Sequence, residues 1–254
     1  MLLTGTSVTG WSLHGSRILG HPRLRPGGPV CTATAVDTGR VTVEAVVFDL
    51  GETLVDESRA WTTWASWLKV RPLDLFAALG ATIERRQDHR EAFELVRPGI
   101  DFDAERASKE AAGAPWAFDA SDLHHDALSC LRSLRQAGLR LGVVGNQPAT
   151  VETMLPELHG LVDLVGSSGR WGVEKRSPSF FQRIVAELGL DPPAIAYVGD
   201  RLDNDVLPAM AVGMAGIFLV RGPWGLVQRA WPEARRASLV IDNLDGLTEQ
   251  LAEL

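Results

Sequence analysis

The sequence predicts an α/β protein built around a mainly parallel sheet. From Val41 onwards, short apolar runs that end in turns alternate with amphipathic stretches of helical period, the pattern typical of such sheets. Of the 254 residues, 45% are hydrophobic and 22% are charged, so the chain can bury a sizeable core. The interval 57–120 interrupts the alternation, because it contains helical patterns alone.

Strands and helices follow from periodicity and from the residues at their ends. Apolar runs bounded by turn residues are typical of buried strands. The helix after Ser177 has Pro178 in its first turn and Gly189 at its end, the usual asymmetry of helix termini. Predicted strands are 41–49, 139–145, 161–165, 194–199 and 215–220, predicted helices are 122–137, 148–158, 177–189 and 203–212, and 221–225 is a predicted loop after the last strand.

Two segments stand outside this alternation. Residues 1–40 are rich in Gly, Pro, Ser, Thr and Arg without periodicity, which predicts a disordered extension. In 57–120, tryptophans recur three residues apart from Trp61 to Trp67 on one helix face, which predicts an inserted helical subdomain able to cover a site. These rings either pack between helices or line a substrate pocket. The sheet domain then comprises 41–56 and 121–254.

Charge and composition narrow the class of protein. A formal net charge of -7 argues against binding to nucleic acid or to anionic membranes. The two cysteines, Cys31 and Cys130, are too few for a disulfide framework and fit a reducing compartment. Since the sequence has neither a long apolar run nor the features of a signal peptide, we expect a cytoplasmic enzyme or binding protein. The sequence does not determine an oligomeric state.

An aspartate stands at the carboxyl end of each of two predicted strands. Asp49 follows an apolar run and enters a turn at Gly51, and Asp200 follows another run at a Gly-Asp turn, with Asp205 five residues later. Ligands of open parallel sheets sit at the carboxyl ends of strands, so Asp49 is a candidate nucleophile or metal ligand. Magnesium is usually held by one or two carboxylates with waters and substrate oxygens, which Asp49 and Asp200 would supply. A solvated strand-end acid and a helix cap are the alternatives.

Two further positions are suited to an anionic ligand. Lys175 lies on a loop before a helix, where its ammonium group suits a phosphate or an aspartate nucleophile. An ordinary surface lysine is the alternative. Gly145 and Asn146 follow a predicted strand, and their backbone amides or the Asn side chain could hold an anion.

The ordered set of Asp49, Gly145-Asn146, Lys175 and Gly199-Asp200 with Asp205 resembles the haloacid dehalogenase-like hydrolase superfamily. The resemblance covers about 41–254 and implies a Rossmann-like sheet with helices on both faces, with 57–120 as an α-helical cap of the first type. It also implies that Asp49 is the nucleophile that forms an aspartyl intermediate and that Lys175 neutralises it. The phosphate-binding residues implied are Gly145, Asn146 and Lys175. The implied Mg²⁺ site comprises Asp49, the Gly51 carbonyl, Asp200 and Asp205, with Asp205 supporting either the metal or the lysine.

Two positions depart from the pattern of that superfamily. Gly51 occupies the position where its phosphatases carry a general acid and base, and Glu52 is one residue further on. The metal contact at this position uses the backbone carbonyl, so the loss of the acid affects proton transfer rather than metal binding. Gly145 replaces the usual Ser or Thr of the second motif, which leaves the amides and Asn146 to hold the transferring group.

Three functional hypotheses follow. The first is Mg²⁺-dependent hydrolysis of a small phosphorylated metabolite through an aspartyl-phosphate. The second is haloacid dehalogenation, which uses the same aspartate without a metal and fits the non-acidic Gly51. The third is a catalytically silent domain that binds a phosphorylated ligand or a partner protein.

Overall fold

A six-stranded parallel sheet forms the centre of the protein. The computed structural model describes residues 42–254, so the predicted extension 1–40 lies outside the described residues. Neighbouring strands pair in the order β3-β2-β1-β4-β5-β6, and every pair is parallel. This confirms the predicted α/β class. The strands are β1 (Ala45–Phe48), β2 (Arg140–Gly145), β3 (Leu164–Ser167), β4 (Ile195–Gly199), β5 (Ala215–Leu219) and β6 (Leu239–Ile241).

The position of β1 in the sheet explains why the predicted site residues converge. All four residues of β1 are buried, as expected of a central strand covered on both faces. In register, Phe48 lies opposite Val143 of β2 and Val198 of β4. The three strands therefore end at the same level, and the residues that follow them share one edge of the sheet.

Helices connect the strands and also fill the interval between β1 and β2. The helix predicted at 177–189 is confirmed, since Gly189 ends it in the left-handed conformation at φ 62°. Within the described chain, no helix combines the length and the apolarity needed to cross a membrane. The α-helices are α1 (Ser58–Leu68), α2 (Pro72–Glu84), α3 (Glu91–Val96), α4 (Phe102–Ala111), α5 (Ala127–Gln136), α6 (Pro156–His159), α7 (Ser168–Trp171), α8 (Pro178–Leu188), α9 (Leu207–Ala211), α10 (Gly222–Gln228) and α11 (Leu247–Leu251).

Proline accounts for two corrections to the predicted helices. The predicted helix 148–158 is a 3₁₀ turn at Ala149–Thr153 followed by the short α6, which begins at Pro156. The predicted helix 203–212 starts as a π turn at Leu202–Val206 before α9. Pro156 and Pro208 have no backbone N–H, so neither can continue the hydrogen bonds of an α-helix that began upstream.

The segment after β5 was also predicted wrongly. Residues 221–225 do not form a loop, because α10 begins at Gly222 with Pro223 in its first turn, where the missing N–H costs nothing. The strand β6 was not predicted, and with three residues it is too short to show an alternating pattern.

Four helices, α1 to α4, occupy the interval 57–120, and the rings of this interval pack on one another. Trp61 and Trp64 are buried, with ring centroids 5.8 Å and 5.1 Å from that of Phe93. Trp67 is half-buried and donates from Nε1 to Glu105 Oε2 at 2.8 Å. We refer to residues 57–120 as the helical block; its identification as a cap stays a prediction.

The helical block packs against the sheet domain through shared hydrophobic contacts. Its buried side chains, including Leu79, belong to the same cluster as Phe218 of β5 and Trp224 of α10. Arg86, at the end of α2, adds a polar contact: its guanidinium group donates to both carboxylate oxygens of Glu233, at 2.8 Å and 3.0 Å, and lies 4.0 Å above the Trp231 ring. The described part of the block and the sheet domain therefore share one buried cluster.

Two leucines of α2 test this packing. Leu79 is fully buried and Leu73 is 72% exposed on the same helix. Leu79→Ala should lower the free energy of unfolding by about 2–5 kcal/mol through lost burial and a residual cavity. The matched Leu73→Ala should change it by no more than about 0.5 kcal/mol. Urea unfolding measures both, and equal effects of the two substitutions would contradict the packing of α2.

Candidate active site

Lys175 joins two carboxylates at the carboxyl edge of the sheet. Its Nζ lies 2.5 Å from Asp49 Oδ1 and 2.7 Å from Asp205 Oδ1, and all three side chains are buried or nearly so. Burial alone would lower the pKa of Lys175, but the carboxylates of Asp205 and Asp49 outweigh it and raise the pKa well above its ordinary value. Lys175 is therefore a permanent cation beside Asp49.

Asn146 positions the loop that carries this lysine. Its side-chain Oδ1 accepts a hydrogen bond from the backbone N–H of Lys175 at 2.7 Å. Asn146 also borders the cavity in front of Asp49. Because Oδ1 is used by the loop, the side-chain amide nitrogen is the group of Asn146 that can face an anion.

Glycine residues leave the space that the buried carboxylates need. A Cβ atom at Gly145 would lie 2.7 Å from Asp49 Oδ1, and one at Gly199 would lie 2.6 Å from Asp205 Cγ. Both distances are shorter than van der Waals contact allows. The Ser or Thr that resemblance leads one to expect at 145 would thus displace Asp49 in this arrangement. The role of Gly145 in anion binding stays a prediction.

Three buried carboxylates form a group that fits a divalent cation. Asp49, Asp200 and Asp205 each offer an oxygen within 4.8 Å of the other two. Asp200 Oδ2 is buried and has no hydrogen-bond partner among the described residues. Burial, and then the charges of Asp205 and Asp49, raise the pKa of Asp200 well above its ordinary value. A cation with a preference for oxygen ligands, such as Mg²⁺, would relieve this unfavourable charge.

The two carboxylates that follow β4 differ in their surroundings. Asp205 is engaged on both oxygens: Oδ1 by Lys175 and Oδ2 by the backbone N–H of Arg201 at 3.1 Å. Asp200 keeps an oxygen that no described protein group satisfies. Of the two roles predicted for Asp205, the geometry therefore favours support of the lysine.

Two further buried carboxyl groups, those of Glu52 and Glu57, line the same cavity as Asp49. The Glu57 backbone N–H donates to Glu52 Oε1 at 3.0 Å, and Glu57 Oε2 accepts from Trp61 Nε1 at 3.2 Å. Burial raises the pKa of Glu52 to about 7. Burial, reinforced by the neighbouring Glu52 carboxylate, raises the pKa of Glu57 to about 8. Both groups can therefore hold a proton near neutral pH.

Sequence analysis did not identify Glu57 as a site residue. A tight turn brings it back to the site, since Glu52 N–H donates to Val55 O at 2.7 Å and Val55 N–H to Leu50 O at 2.9 Å. The one sequence signal that could have identified Glu57 is its position directly before the helix that carries Trp61. The number of residues between Asp49 and Glu57 does not by itself indicate that the chain turns back towards the site.

The site opens into a cavity of about 690 Å³ between the sheet edge and the helical block. Of the predicted site residues, Asp49, Gly51, Asn146, Lys175 and Asp200 line this cavity, whereas Asp205 lies fully buried behind Lys175. The lining also contains aromatic and cationic side chains, most of which sequence analysis did not identify as site residues. The aromatic lining residues include Trp61, Trp64, His89, Phe93, Phe102, Trp116 and Trp224, and the cationic ones include Arg176 and Arg201, next to Lys175 and Asp200 in the chain.

Arg201 and Trp224 form a contact that sequence analysis did not foresee. The Arg201 guanidinium carbon lies 4.8 Å from the centre of the Trp224 ring, an arrangement that favours a cation over an aromatic face. Trp224 is buried in the shared hydrophobic cluster and also borders the cavity. The Trp224 ring therefore both packs in the hydrophobic cluster and borders the cavity.

Comparisons with known proteins agree with this geometry. The family model described as haloacid dehalogenase-like hydrolase matches residues 43–213. The glyceraldehyde 3-phosphate phosphatase of Methanopyrus kandleri is 28% identical over 202 residues, which cover 72% of this chain and 86% of the relative.

Two solved structures share the fold. A phosphatase from Thermococcus onnurineus is 21% identical, with a TM-score of 0.51 over 82% of this chain and 98% of its own. A 2-haloacid dehalogenase from Pseudomonas syringae is 20% identical, with a TM-score of 0.52 over 84% and 99%. The fold alone therefore does not distinguish these two activities.

Removal of one carboxylate tests the cation site. In metal-free protein at neutral pH, Asp200→Asn should raise the free energy of unfolding, because burial and two neighbouring carboxylates disfavour the ionisation of Asp200 and asparagine does not ionise. Mg²⁺ at 100 times its Kd should stabilise the unsubstituted protein by about 2.7 kcal/mol. Thermal unfolding in EDTA and in Mg²⁺ should show that Asp200→Asn loses this shift and that Asp203→Asn, outside the carboxylate group, keeps it. An undiminished shift in Asp200→Asn would contradict the site.

The buried glutamates predict a pH dependence of stability. Their pKa values in the folded protein, about 7 and about 8, lie above the ordinary 4.5, so the folded state binds more protons than the unfolded state. The free energy of unfolding should therefore fall as the pH rises from 4.5 to 8 in metal-free protein, by up to about 1.4 kcal/mol per pH unit for each group. Urea unfolding at several pH values should show a shallower decline in Glu57→Gln, above all between pH 7 and 8. An unchanged slope would refute the burial effect at Glu57.

Proposed function

The chain belongs to the haloacid dehalogenase-like hydrolase family, and from this premise we propose that it is a Mg²⁺-dependent phosphatase of a small phosphorylated metabolite. The observation that carries the proposal is the buried group of Asp49, Lys175 and Asp205 beside the unsatisfied oxygen of Asp200. These contacts support the proposed roles of Asp49 as nucleophile, Lys175 as the cation that neutralises it and Asp200 as a metal ligand.

In the proposed reaction, Asp49 attacks the phosphorus of a phosphate monoester and forms an aspartyl-phosphate, which water then hydrolyses. Lys175 holds its ammonium group against Asp49 and compensates the negative charge that gathers there. The amide nitrogen of Asn146 is available to orient a phosphate oxygen.

The Mg²⁺ site would comprise Asp49, Asp200 and the backbone carbonyl of Gly51, with Asp205 as the partner of Lys175. Magnesium supplies compensation for the negative charge of the transferring phosphoryl group. Asp200 would bind the cation through Oδ2, because this buried oxygen has no hydrogen-bond partner in the described chain.

The substrate is proposed from the relatives and from the cavity. The curated relatives include glyceraldehyde 3-phosphate phosphatases, so glyceraldehyde 3-phosphate is the first substrate to test. The cavity of about 690 Å³ has aromatic walls, which also suit esters with a larger apolar part. A panel of phosphorylated metabolites should therefore include both kinds.

The dehalogenase hypothesis is less well supported. A dehalogenase of this type needs no metal, whereas the carboxylate group formed by Asp49, Asp200 and Asp205 is suited to one. The likeness to a solved dehalogenase concerns the fold alone.

Replacement of the nucleophile tests the proposal. The protein should release inorganic phosphate from members of the panel in Mg²⁺ and not in EDTA, and Asp49→Asn should reduce kcat by about 1,000-fold or more. Asp203→Asn, outside the proposed machinery, serves as a matched control and should remain active. Halide release from 2-haloacids in EDTA would instead support a dehalogenase, and phosphate-ester binding without turnover would support a silent binding domain.

A further inference from the structure

The carboxyl group of Glu57 occupies the space next to Asp49 that a side chain at position 51 would need. A Cβ atom at Gly51 would lie 2.7 Å from Glu57 Cδ and closer still to Oε1. Such distances are well inside van der Waals contact. A side chain at 51 and the present position of Glu57 therefore exclude each other.

Two hydrogen bonds hold Glu57 in this place. Its backbone N–H donates to Glu52 Oε1 at 3.0 Å, and its Oε2 accepts from Trp61 Nε1 at 3.2 Å. The residue is only 9% exposed, yet it lines the same cavity as Asp49. The hydrogen bond from Trp61 fixes Oε2, so that Oε1 is the oxygen on the Gly51 side.

The other buried carboxylates of the site are committed elsewhere. Asp205 binds Lys175 and the Arg201 backbone. Glu52 accepts from the Glu57 backbone through Oε1, and its side chain lies against Gly222, where a Cβ atom would be 2.7 Å from Glu52 Cγ. Asp200 is assigned to the proposed metal site, which leaves Glu57 as the buried carboxyl group that lines the cavity and has an oxygen beside Gly51.

We propose that Glu57 is the general acid and base of the phosphatase reaction, an inference that rests on the proposed function. As Asp49 forms its bond to phosphorus and the bond to the ester oxygen breaks, the Glu57 carboxyl group gives its proton to the departing alkoxide, which leaves as the alcohol. Glu57 is then a carboxylate.

The same residue acts in the second half of the reaction. The Glu57 carboxylate takes a proton from water while the water oxygen forms a bond to phosphorus and the bond to Asp49 breaks. Hydrogen phosphate, free Asp49 and protonated Glu57 result, so the proton and the charge return to their starting positions.

The proposal predicts a dependence on the leaving group. An activated ester such as para-nitrophenyl phosphate releases a stable anion that needs little protonation, whereas an alkyl phosphate releases a basic alkoxide. Glu57→Gln keeps the size of the side chain and removes the proton. It should lower kcat/KM for alkyl phosphates by about 100 to 10,000-fold and much less for the activated ester.

Rapid mixing of Glu57→Gln with the activated ester provides a second measurement. Formation of the aspartyl-phosphate should stay fast while its hydrolysis loses the base, so nitrophenolate should appear in a burst equal to the enzyme concentration. Asp122→Asn, which removes a buried carboxyl group that does not line the cavity, is the control and should leave the ratio of kcat/KM between the two ester classes unchanged.

An exchange of positions tests the shared space directly. Gly51→Asp alone should be impaired, because its side chain meets Glu57. With Glu57→Ala, which vacates the space, Gly51→Asp should recover activity on alkyl phosphates relative to Glu57→Ala alone. Urea unfolding of each variant verifies that it is folded.

The outcomes separate the inference from the function on which it rests. If the unsubstituted protein hydrolyses phosphate esters but Glu57→Gln loses the same factor on both ester classes and shows no burst, Glu57 has only a structural role and the inference fails. If the unsubstituted protein hydrolyses none of the esters, the proposed function itself fails.

Discussion

The buried contact of Lys175 with Asp49 and Asp205 is the interaction on which the rest of the site depends. The parallel sheet brings several acids to one edge, where their mutual repulsion and their burial both oppose ionisation. Lys175 pairs with two of them, Asp49 and Asp205. The other acids are stabilised either by binding a cation, as we propose for Asp200, or by holding a proton, as the raised pKa of Glu57 indicates. The ion pairs of Lys175 thus separate Asp49 and Asp205 from the other buried acids.

Space is the second constraint on this edge of the sheet. Gly51, Gly145 and Gly199 each lie so close to a carboxyl group that a Cβ atom would overlap it. Family resemblance leads one to expect an acid at position 51 and a hydroxyl group at position 145. In this chain, Glu57 and Asp49 occupy the space that those two side chains would need. The two departures from the family pattern are linked to the packing of Asp49 and Glu57 and do not have to indicate lost function.

Much of the fold followed from the sequence, because apolar runs and strand-end acids are local signals. Asp49 and Asp200 were found from the residues next to them, and parallel pairing then implied their proximity. Glu57 was not found, since its position depends on a turn that reverses the chain after Gly51. Pro223 indicated a loop but stands in the first turn of α10. The aromatic walls of the cavity depend on how helices pack, which periodicity does not specify.

Glu57 immediately precedes α1, at the junction between the sheet domain and the helical block. Asp49 follows the central strand and Glu57 stands at the base of the inserted helices, so the proposed nucleophile and the proposed proton donor come from different structural units. A rotation of α1 would move Glu57 relative to Asp49. Enclosure of a substrate by the helices and the position of the proposed proton donor would then change together, because one short peptide segment connects them.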